Sequence, residues 1–369
     1  MTQASAVDRV GILTGGGDCP GLNAVIRAVA KTAISRYDAD VIGIKDGYRG
    51  LVEDDMIPLS WDSVSGILTE GGTILGASNK ANPFEYTRPP ASSNEDCSDE
   101  AVENFQKADL DLLFALGGDG TLTIANKLQK KGVPVIGVPK TIDNDVHETD
   151  VTFGFDTAVQ TVAFSLDKLH TTAQSHHRIM VVETMGRYTG WLALTGGMAG
   201  GGDIILIPEI EYSFENIEQA IEERREMGRA FSIIVVAEGV TPPSGDYIVQ
   251  KKEEQDTHDQ VRLGGIGYWL ADALETRTEF DCRAVVLGHL QRGGSPTAYD
   301  RMLATRYGTE AMSQAAEGNS GVMIALKGTN MEAVSLDEVA GRQRTVPPDS
   351  QFVEAARSVG TCLGDGLSL

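Results

Sequence analysis

The sequence has few cysteines and lacks the spacing that metal sites and disulfide frameworks need. There are four, spread along the chain: Cys19, Cys97, Cys282 and Cys362. None forms a CxxC pair, so neither a zinc site nor a disulfide framework is predicted, and reduced thiols in a cytoplasmic protein are expected. No apolar run reaches the roughly 20 residues that cross a membrane. The N-terminus has no basic segment followed by an apolar one, so no signal peptide is expected.

Basic residues are also scarce relative to acidic ones. The 31 lysines and arginines face 53 aspartates and glutamates, which gives a net charge of −22. Such a surface repels nucleic acid and anionic membranes, so neither is expected as a partner. We interpret the acidity as an ordinary solvated surface, with adaptation to a high-salt cytoplasm as the alternative. The 369 residues suffice for two domains, and the 42 glycines cluster in turns rather than in repeats.

The most informative pattern is a pair of apolar runs that each end in a polar turn. Residues 110–116 lead into the turn 117–121 (GGDGT), and residues 133–138 lead into 139–145 (PKTIDND). About 20 residues separate the turns, enough for one crossover helix between parallel strands. Parallel neighbours would bring both turns to one edge of a sheet, where α/β proteins bind ligands.

The residue types in these two turns favour phosphoryl transfer. Glycines let backbone N–H groups approach phosphate, and the helix after the first turn adds its positive end. A carboxylate beside such a cradle suits Mg²⁺, which shares oxygen ligands with substrate phosphates. We therefore expect Asp119 on the metal side and Asp143 to be free to act as a base.

Other segments extend the α/β pattern. A strand at 9–14 is followed by the glycine turn 15–23 and a helix. Pro20 stands where the Rossmann spacing needs a glycine, which disfavours an NAD(P) dehydrogenase, and no Lys-Ser/Thr pair follows Gly21 to complete a P-loop. A glycine-edged turn at 71–76 is followed by Lys80, and a lysine at such an edge could serve a nucleotide phosphate. Further strand–turn–helix units after residue 179 predict a second α/β domain, with a surface excursion at 241–259 and a helix at 263–274.

These motifs together resemble the 6-phosphofructokinase family over nearly the whole chain. GGDGT also occurs in NAD kinases and lipid kinases, whereas TIDND at 141–145, Met185-Gly186-Arg187 and GHLQRGGSP at 288–296 are specific to the family. The segment GGGDCPG at 15–21 is similar to the subgroup of actinobacteria and their relatives, which contains both ATP and pyrophosphate users.

The resemblance implies a fold class and a domain division. The expected fold is α/β, with two Rossmann-like domains, parallel-rich sheets and an active site in the cleft between them. Residues 1–154 plus 292–342 would form the phosphoryl-donor domain, and residues 155–291 plus 343–369 the fructose 6-phosphate domain. The implied reaction is ATP-dependent phosphorylation of the 1-hydroxyl of fructose 6-phosphate, giving fructose 1,6-bisphosphate in glycolysis.

The resemblance also implies the site residues. The phosphoryl donor would be held by Gly16, Lys80, Gly118, Asp119, Gly120 and Thr121, with Mg²⁺ on Asp119. The catalytic group would be Asp143 as general base, Thr141 and Arg187. The sugar phosphate would be held by Thr141, Ile142, Asp143, Met185, Gly186, Arg187, Glu238, His289, Leu290, Gln291 and Arg292. Arg178 and Arg283 would reach it from a neighbouring subunit of a homodimer or homotetramer with shared active sites.

The donor is expected to be ATP. In the family, glycine at the Gly120 position accompanies ATP and aspartate accompanies pyrophosphate, because a carboxylate there would meet the α-phosphate of ATP. Two like charges ~4 Å apart cost on the order of 4 kcal/mol at an effective dielectric of 20. Lys140 points towards pyrophosphate, but a flexible ammonium can assist either donor, so Gly120 carries more weight.

Two departures and two alternatives remain. Lys80 replaces an arginine that is usual in the family, and basic residues of the effector-controlled bacterial members are replaced by His170 and Met227, which puts that regulation in doubt. The first alternative is a pyrophosphate-dependent phosphofructokinase. The second is a non-catalytic subunit that senses sugar phosphate, which the joint presence of Asp119, Asp143 and Arg187 disfavours.

Overall fold

The chain forms two parallel-rich sheets flanked by helices. The computed structural model describes residues 4–88, 93–243, 245, 247–252 and 261–366. The strands are β1 (Arg9–Thr14), β2 (Asp40–Ile44), β3 (Met56–Pro58), β4 (Leu112–Gly117), β5 (Val135–Pro139), β6 (Ile179–Thr184), β7 (Ile204–Leu206), β8 (Ser232–Ala237), β9 (Val249–Lys252), β10 (Val261–Leu263), β11 (Cys282–Val286), β12 (Val322–Lys327) and β13 (Asn330–Ser335).

The helices alternate with these strands. They are α1 (Leu22–Thr32), α2 (Tyr48–Glu53), α3 (Ser98–Lys107), α4 (Asp119–Lys130), α5 (Phe155–His176), α6 (Trp191–Ala199), α7 (Phe214–Glu226), α8 (Ile266–Arg277), α9 (Ala298–Ala316), α10 (Leu336–Val339) and α11 (Gln351–Ser358). None of the helices in the described part of the chain has both the length and the apolarity to cross a membrane.

The first sheet has seven strands in the order β13-β12-β5-β4-β1-β2-β3. Its interior pairs are parallel, and only the two edge strands β3 and β13 pair antiparallel. Every residue of β4 and β5 is buried, as expected for parallel strands covered by helices on both faces. The second sheet is parallel throughout, in the order β11-β6-β8-β7. The predicted α/β class with parallel-rich sheets is confirmed.

Two predicted segments need correction, and one predicted turn is present. Residues 71–76 form the expected glycine-edged turn, in which Gly72 and Gly76 have φ of +66° and +72°, and an isolated bridge joins Ser78 to Gly15. The helix predicted at 263–274 begins only at Ile266, after strand β10. The predicted excursion at 241–259 contains β9, and residues 244, 246 and 253–260 lie outside the described part.

Asp300, at the start of α9, holds the N-terminus of α5. Its carboxylate accepts the backbone N–H groups of Gly154 at 3.0 Å and Thr157 at 2.8 Å, and also the Thr157 hydroxyl. The residue is fully buried, and burial raises the pKa of its carboxyl to about 6. This side chain therefore ties the first helix after the β5 turn to a helix that packs on the first sheet.

Replacing Asp300 should destabilise the protein because two buried N–H donors lose their acceptor. We expect Asp300→Ala to lower the free energy of unfolding by about 2–4 kcal/mol. Urea denaturation at pH 7 measures the loss. The exposed Asp349→Ala is the matched control and should change stability by less than about 0.5 kcal/mol. Equal stability of the two variants would contradict the anchoring role of Asp300.

Candidate active site

The turns after β4 and β5 meet at one edge of the first sheet. These strands pair in parallel, with Gly117 opposite Pro139. The backbone N–H of Lys140 donates to the carbonyl of Gly117 at 3.0 Å. Helix α4 begins at Asp119, two residues after Gly117. The parallel pairing inferred from the two apolar runs is therefore present, and it brings the GGDGT and TIDND segments together.

A glycine cradle lies where the turn after β1 meets the N-terminus of α4. A Cβ atom on Gly117 would lie 2.2 Å from the Cβ of Thr121, and one on Gly15 would lie 2.6 Å from the Thr121 hydroxyl. Larger residues would push the two backbones apart. A cavity of about 410 Å³ opens beside this contact, and the described residues that line it are Gly16, Gly17, Asp18, Thr73, Ala77 and Asn79.

Two cations converge on the backbone of this cradle. Lys140 is 3% exposed, and its Nζ donates to the carbonyl of Gly17. Arg292 donates to the carbonyl of Asp18 at 3.2 Å. Burial lowers the pKa of Lys140, the neighbouring charge of Arg292 lowers it further, and nearby acidic groups oppose the shift. Such a pair of cationic donors, one buried and one half-buried, suits an anion with several oxygens.

Lys80 occupies a different position from the other predicted donor residues. It is exposed, and its backbone N–H donates to the Ser78 hydroxyl at 3.2 Å. Its neighbour Asn79 is among the described residues that line the cavity, whereas Lys80 is not. Gly16 is in the lining, and Gly118 to Thr121 form the start of α4, so these residues are brought together as predicted.

Asp143 lies in the buried TIDND loop with one oxygen unused. The residue is 5% exposed, and its backbone N–H donates to the Thr141 hydroxyl at 3.0 Å. Within the described part of the chain, no hydrogen bond reaches its Oδ1. A fixed backbone and an unpartnered carboxylate oxygen are the features expected of a base that meets a substrate hydroxyl.

Two further carboxyls, the buried Asp145 and the half-buried Glu238, interact with the charge of Asp143. Burial raises the pKa of Asp145 to about 7, and Asp143 adds to the shift. Burial likewise raises the pKa of Glu238 to about 7, again with Asp143 as the second cause. Glu238 was predicted from the sequence, whereas Asp145 was not singled out, although it is the second acid of the TIDND motif.

The other half of the site comes from strand ends of the second sheet. The segment 185–187 follows β6, Glu238 follows β8, and a short 3-10 helix, Gly288–Arg292, follows β11. The backbone N–H of Arg187 donates to Glu238 at 3.1 Å, and that of Met185 donates to Gln291 at 3.3 Å. These predicted sugar-site residues therefore lie side by side at one edge.

A hydrogen bond connects the two halves. The Thr189 hydroxyl, two residues after Arg187, lies 3.4 Å from the backbone carbonyl oxygen of Asp143 and 3.2 Å from that of Gly186, so its one proton is shared between the two loops. Arg187 itself has φ of +51°, and a Cβ on Gly239 would lie 1.8 Å from its carbonyl oxygen. Only glycine at 239 permits this close approach. Thr189 was not singled out from the sequence, since it acts through a contact with a distant strand end.

Two predicted residues lie away from this edge. Arg178 directly precedes β6 and Arg283 is in β11, next to the start of β6, so both are at the opposite end of the second sheet from residues 185–187. Both pair with Asp281. Within one chain they are brought to each other but not to Arg187, and their predicted role in a neighbouring subunit's site is untested.

The acidic residues at the edge fit a metal that is shared with substrate. Within the described ranges, no group of three or more His, Cys, Asp or Glu side chains could hold a metal ion alone. Oδ1 of Asp119 accepts the backbone N–H of Gly341 at 2.9 Å and lies 3.4 Å from the Thr123 hydroxyl. A carboxylate oriented in this way beside a phosphate cradle can supply one ligand while phosphates supply others.

The profile of the family described as Phosphofructokinase matches residues 9–315. The chain belongs to the phosphofructokinase family. It is 51% identical to an ATP-dependent 6-phosphofructokinase 2 of Clostridium perfringens, over 97% of this chain and 99% of that one. It is 49% identical to a pyrophosphate–fructose 6-phosphate 1-phosphotransferase of Amycolatopsis methanolica, over 92% and 97%.

A solved phosphofructokinase has the same fold. The Pichia pastoris phosphofructokinase in the T-state aligns with a TM-score of 0.79 and 29% identity, covering 97% of this chain and 37% of that chain. The family resemblance inferred from the motifs is confirmed. Some members of the family are named as ATP-dependent enzymes and others as pyrophosphate-dependent enzymes, so membership of the family does not identify the phosphoryl donor.

The raised pKa values in this phosphofructokinase predict a pH-dependent stability. A carboxyl whose pKa is raised by folding contributes stability that is full near pH 4 and is lost as the pH rises through about 7. Asp145→Asn removes the buried charge without removing the side chain. Relative to wild type, we expect this variant to gain on the order of 1–3 kcal/mol between pH 5 and pH 8.5.

Urea denaturation of the ligand-free protein at both pH values measures this gain. The exposed Asp167→Asn is the control and should show no such trend. If the stability difference between Asp145→Asn and wild type were the same at pH 5 and pH 8.5, Asp145 would not be a buried carboxyl of raised pKa.

Proposed function

We propose that this phosphofructokinase transfers the γ-phosphoryl group of ATP to the 1-hydroxyl of fructose 6-phosphate, giving ADP and fructose 1,6-bisphosphate. The observation that carries the proposal is that residues 141–145, the Asp143 loop, adjoin both the glycine cradle and residues 185–190, the Arg187 loop. On the cradle side, the Lys140 ammonium donates to the carbonyl of Gly17. On the other side, the Thr189 hydroxyl lies 3.4 Å from the backbone carbonyl oxygen of Asp143. Donor and acceptor can therefore meet at Asp143.

Asp143 acts as the general base. Its backbone is held by Thr141 and Thr189, and its Oδ1 is buried without a partner in the described part. As the sugar's O1 attacks the γ-phosphorus, the hydroxyl proton passes to the Asp143 carboxylate and the bond to the β-phosphate oxygen breaks. Phosphoryl transfer asks for positioning and charge neutralisation more than for covalent chemistry, and such a site supplies both.

The donor side would use Gly16 and the start of α4, Gly118 to Thr121, with Lys80 at the exposed rim. Backbone N–H groups at a glycine turn and a helix N-terminus suit the phosphates. Mg²⁺ would be held by Asp119 together with donor phosphates, and when bound it neutralises the charge that develops on the transferred group. In this proposal the donor domain comprises residues 1–154 plus 292–342.

The sugar phosphate would bind on the second-sheet side, in a domain of residues 155–291 plus 343–369. Arg187 offers a planar fork that matches phosphate oxygens, and Glu238 is placed by the Arg187 backbone to accept a sugar hydroxyl. The remaining contacts are proposed for Ile142, Met185, Gly186, His289, Leu290, Gln291 and Arg292. A neighbouring subunit of a homodimer or homotetramer would contribute Arg178 and Arg283, which pair with Asp281 in the single chain.

ATP is proposed as the donor because Gly120 lies in the first turn of α4, beside the cradle, and adds no charge there. The family members named ATP-dependent 6-phosphofructokinase support this choice. Pyrophosphate is the second candidate, since Lys140 directs a buried ammonium at the cradle and the Amycolatopsis relative carries pyrophosphate in its name.

The donor is tested with purified protein, fructose 6-phosphate and Mg²⁺, supplied with either ATP or pyrophosphate. We expect turnover with ATP. Gly120→Asp should lower kcat/KM for ATP by about 10²- to 10³-fold, because a carboxylate near the α-phosphate costs on the order of 4 kcal/mol. Gly120→Asn has nearly the same size without the charge and should lose much less. Turnover with pyrophosphate alone would overturn the choice of ATP.

The base is tested with Asp143→Asn, which keeps the shape but cannot take the proton. We expect kcat to fall by about 10²- to 10⁴-fold while the Kd for fructose 6-phosphate, measured by calorimetry, changes little. Asp167→Asn on the exposed face of α5 is the matched control. Near-normal turnover of Asp143→Asn would remove this residue from the mechanism.

A further inference from the structure

A short C-terminal segment reaches back to the loop that follows Asp143. We call residues 343–346 the C-terminal strap. Gln343 pairs with Val146 in an antiparallel bridge, and the backbone N–H of Arg344 donates to the carbonyl of Asp145 at 2.8 Å. The Arg344 guanidinium donates to the carbonyl of Asn144 at 3.2 Å. Arg344 therefore holds both residues that follow the proposed base, Asn144 through its guanidinium and Asp145 through its backbone N–H.

The same strap holds the start of the helix that follows the Arg187 loop. The indole N–H of Trp191 donates to the carbonyl of Arg344 at 3.1 Å, and the guanidinium lies 4.0 Å from the centre of the Trp191 ring. Glu209 accepts the backbone N–H of Val346 at 2.9 Å and that of Gly190 at 3.0 Å through one oxygen. The strap therefore contacts both loops that meet at the proposed active site.

The backbone of the loop after Asp143 turns sharply. Asn144 has φ of +54°, in the left-handed region that asparagine enters more readily than most residues with a side chain. Its side chain accepts the backbone N–H of Thr152 at 3.0 Å, and its carbonyl is the acceptor for Arg344. Burial lowers the pKa of Arg344, so its charge is partly removed from water in order to make these contacts.

We propose that the C-terminal strap fixes the Asp143 loop against the Arg187 loop, with Arg344 as its positioning residue. Arg344 acts through the backbone of residues 144 and 145 and thereby sets the direction of the Asp143 carboxylate. The proposal rests on the proposed role of Asp143. A base displaced by about 1 Å can cost about 10²-fold in rate, so loss of Arg344 should reduce kcat more than it changes either KM.

Arg344→Met keeps the length and the apolar stacking on Trp191 but removes the donors. We expect kcat to fall about 10- to 100-fold with both KM values within about 3-fold of wild type. Arg344→Lys keeps one charged donor, so its kcat should lie between those of wild type and Arg344→Met. Arg342→Met is the matched control: Arg342 is exposed, two residues away and outside the strap, so its replacement should leave kcat unchanged.

A double variant separates positioning from a general structural effect. In the Asp143→Asn background, Arg344→Met should change the residual kcat by less than about 2-fold, since there is no base left to aim. If the two losses multiply, or if Arg344→Met raises the KM for fructose 6-phosphate at unchanged kcat, the positioning role is wrong.

Hydrogen exchange tests the strap without relying on turnover. In Arg344→Met, the amides of residues 143–146 should exchange about 10-fold faster than in wild type and in Arg342→Met, while those of β4 stay protected. Unchanged exchange at 143–146 would overturn the strap. If the wild type transferred no phosphoryl group to fructose 6-phosphate, the proposed function would fail, and this exchange measurement would still decide whether the strap holds the loop.

Discussion

The parallel pairing of β4 with β5 is the constraint on which the rest of the site depends. It places Gly117 opposite Pro139, so the N-terminus of α4 and the TIDND loop leave the sheet at the same edge. A shift of this register would separate Asp119 from Asp143. The glycines of the β1 turn then allow the backbone to close on Thr121, and the cavity forms beside that contact.

Charge balance is the second feature of the site. The carboxyls of Asp143 and Asp145 are buried and that of Glu238 is half-buried, and desolvation raises the pKa of Asp145 and of Glu238 to about 7. Lys140 and Arg292 lie on the cradle side of the same region. The acidic half suits the proton of an attacking hydroxyl, and the basic half suits the phosphate oxygens of a donor.

Much of this arrangement could be predicted from the sequence, because long apolar runs that end in glycine and aspartate mark parallel strands and their ligand edge. The family motifs then identified Asp143, Arg187 and Glu238. The strap could not be predicted, since Arg344 is 200 residues from Asn144 and carries no motif.

The central claim is that a phosphate donor and a sugar meet at the shared edge around Asp143. A crystal structure with Mg²⁺, a non-hydrolysable ATP analogue and fructose 6-phosphate tests it most directly. The account predicts the triphosphate against the glycine cradle, the metal against Asp119 and the sugar's 1-hydroxyl within hydrogen-bond distance of Asp143. A sugar bound elsewhere, or a hydroxyl facing away from Asp143, would contradict it.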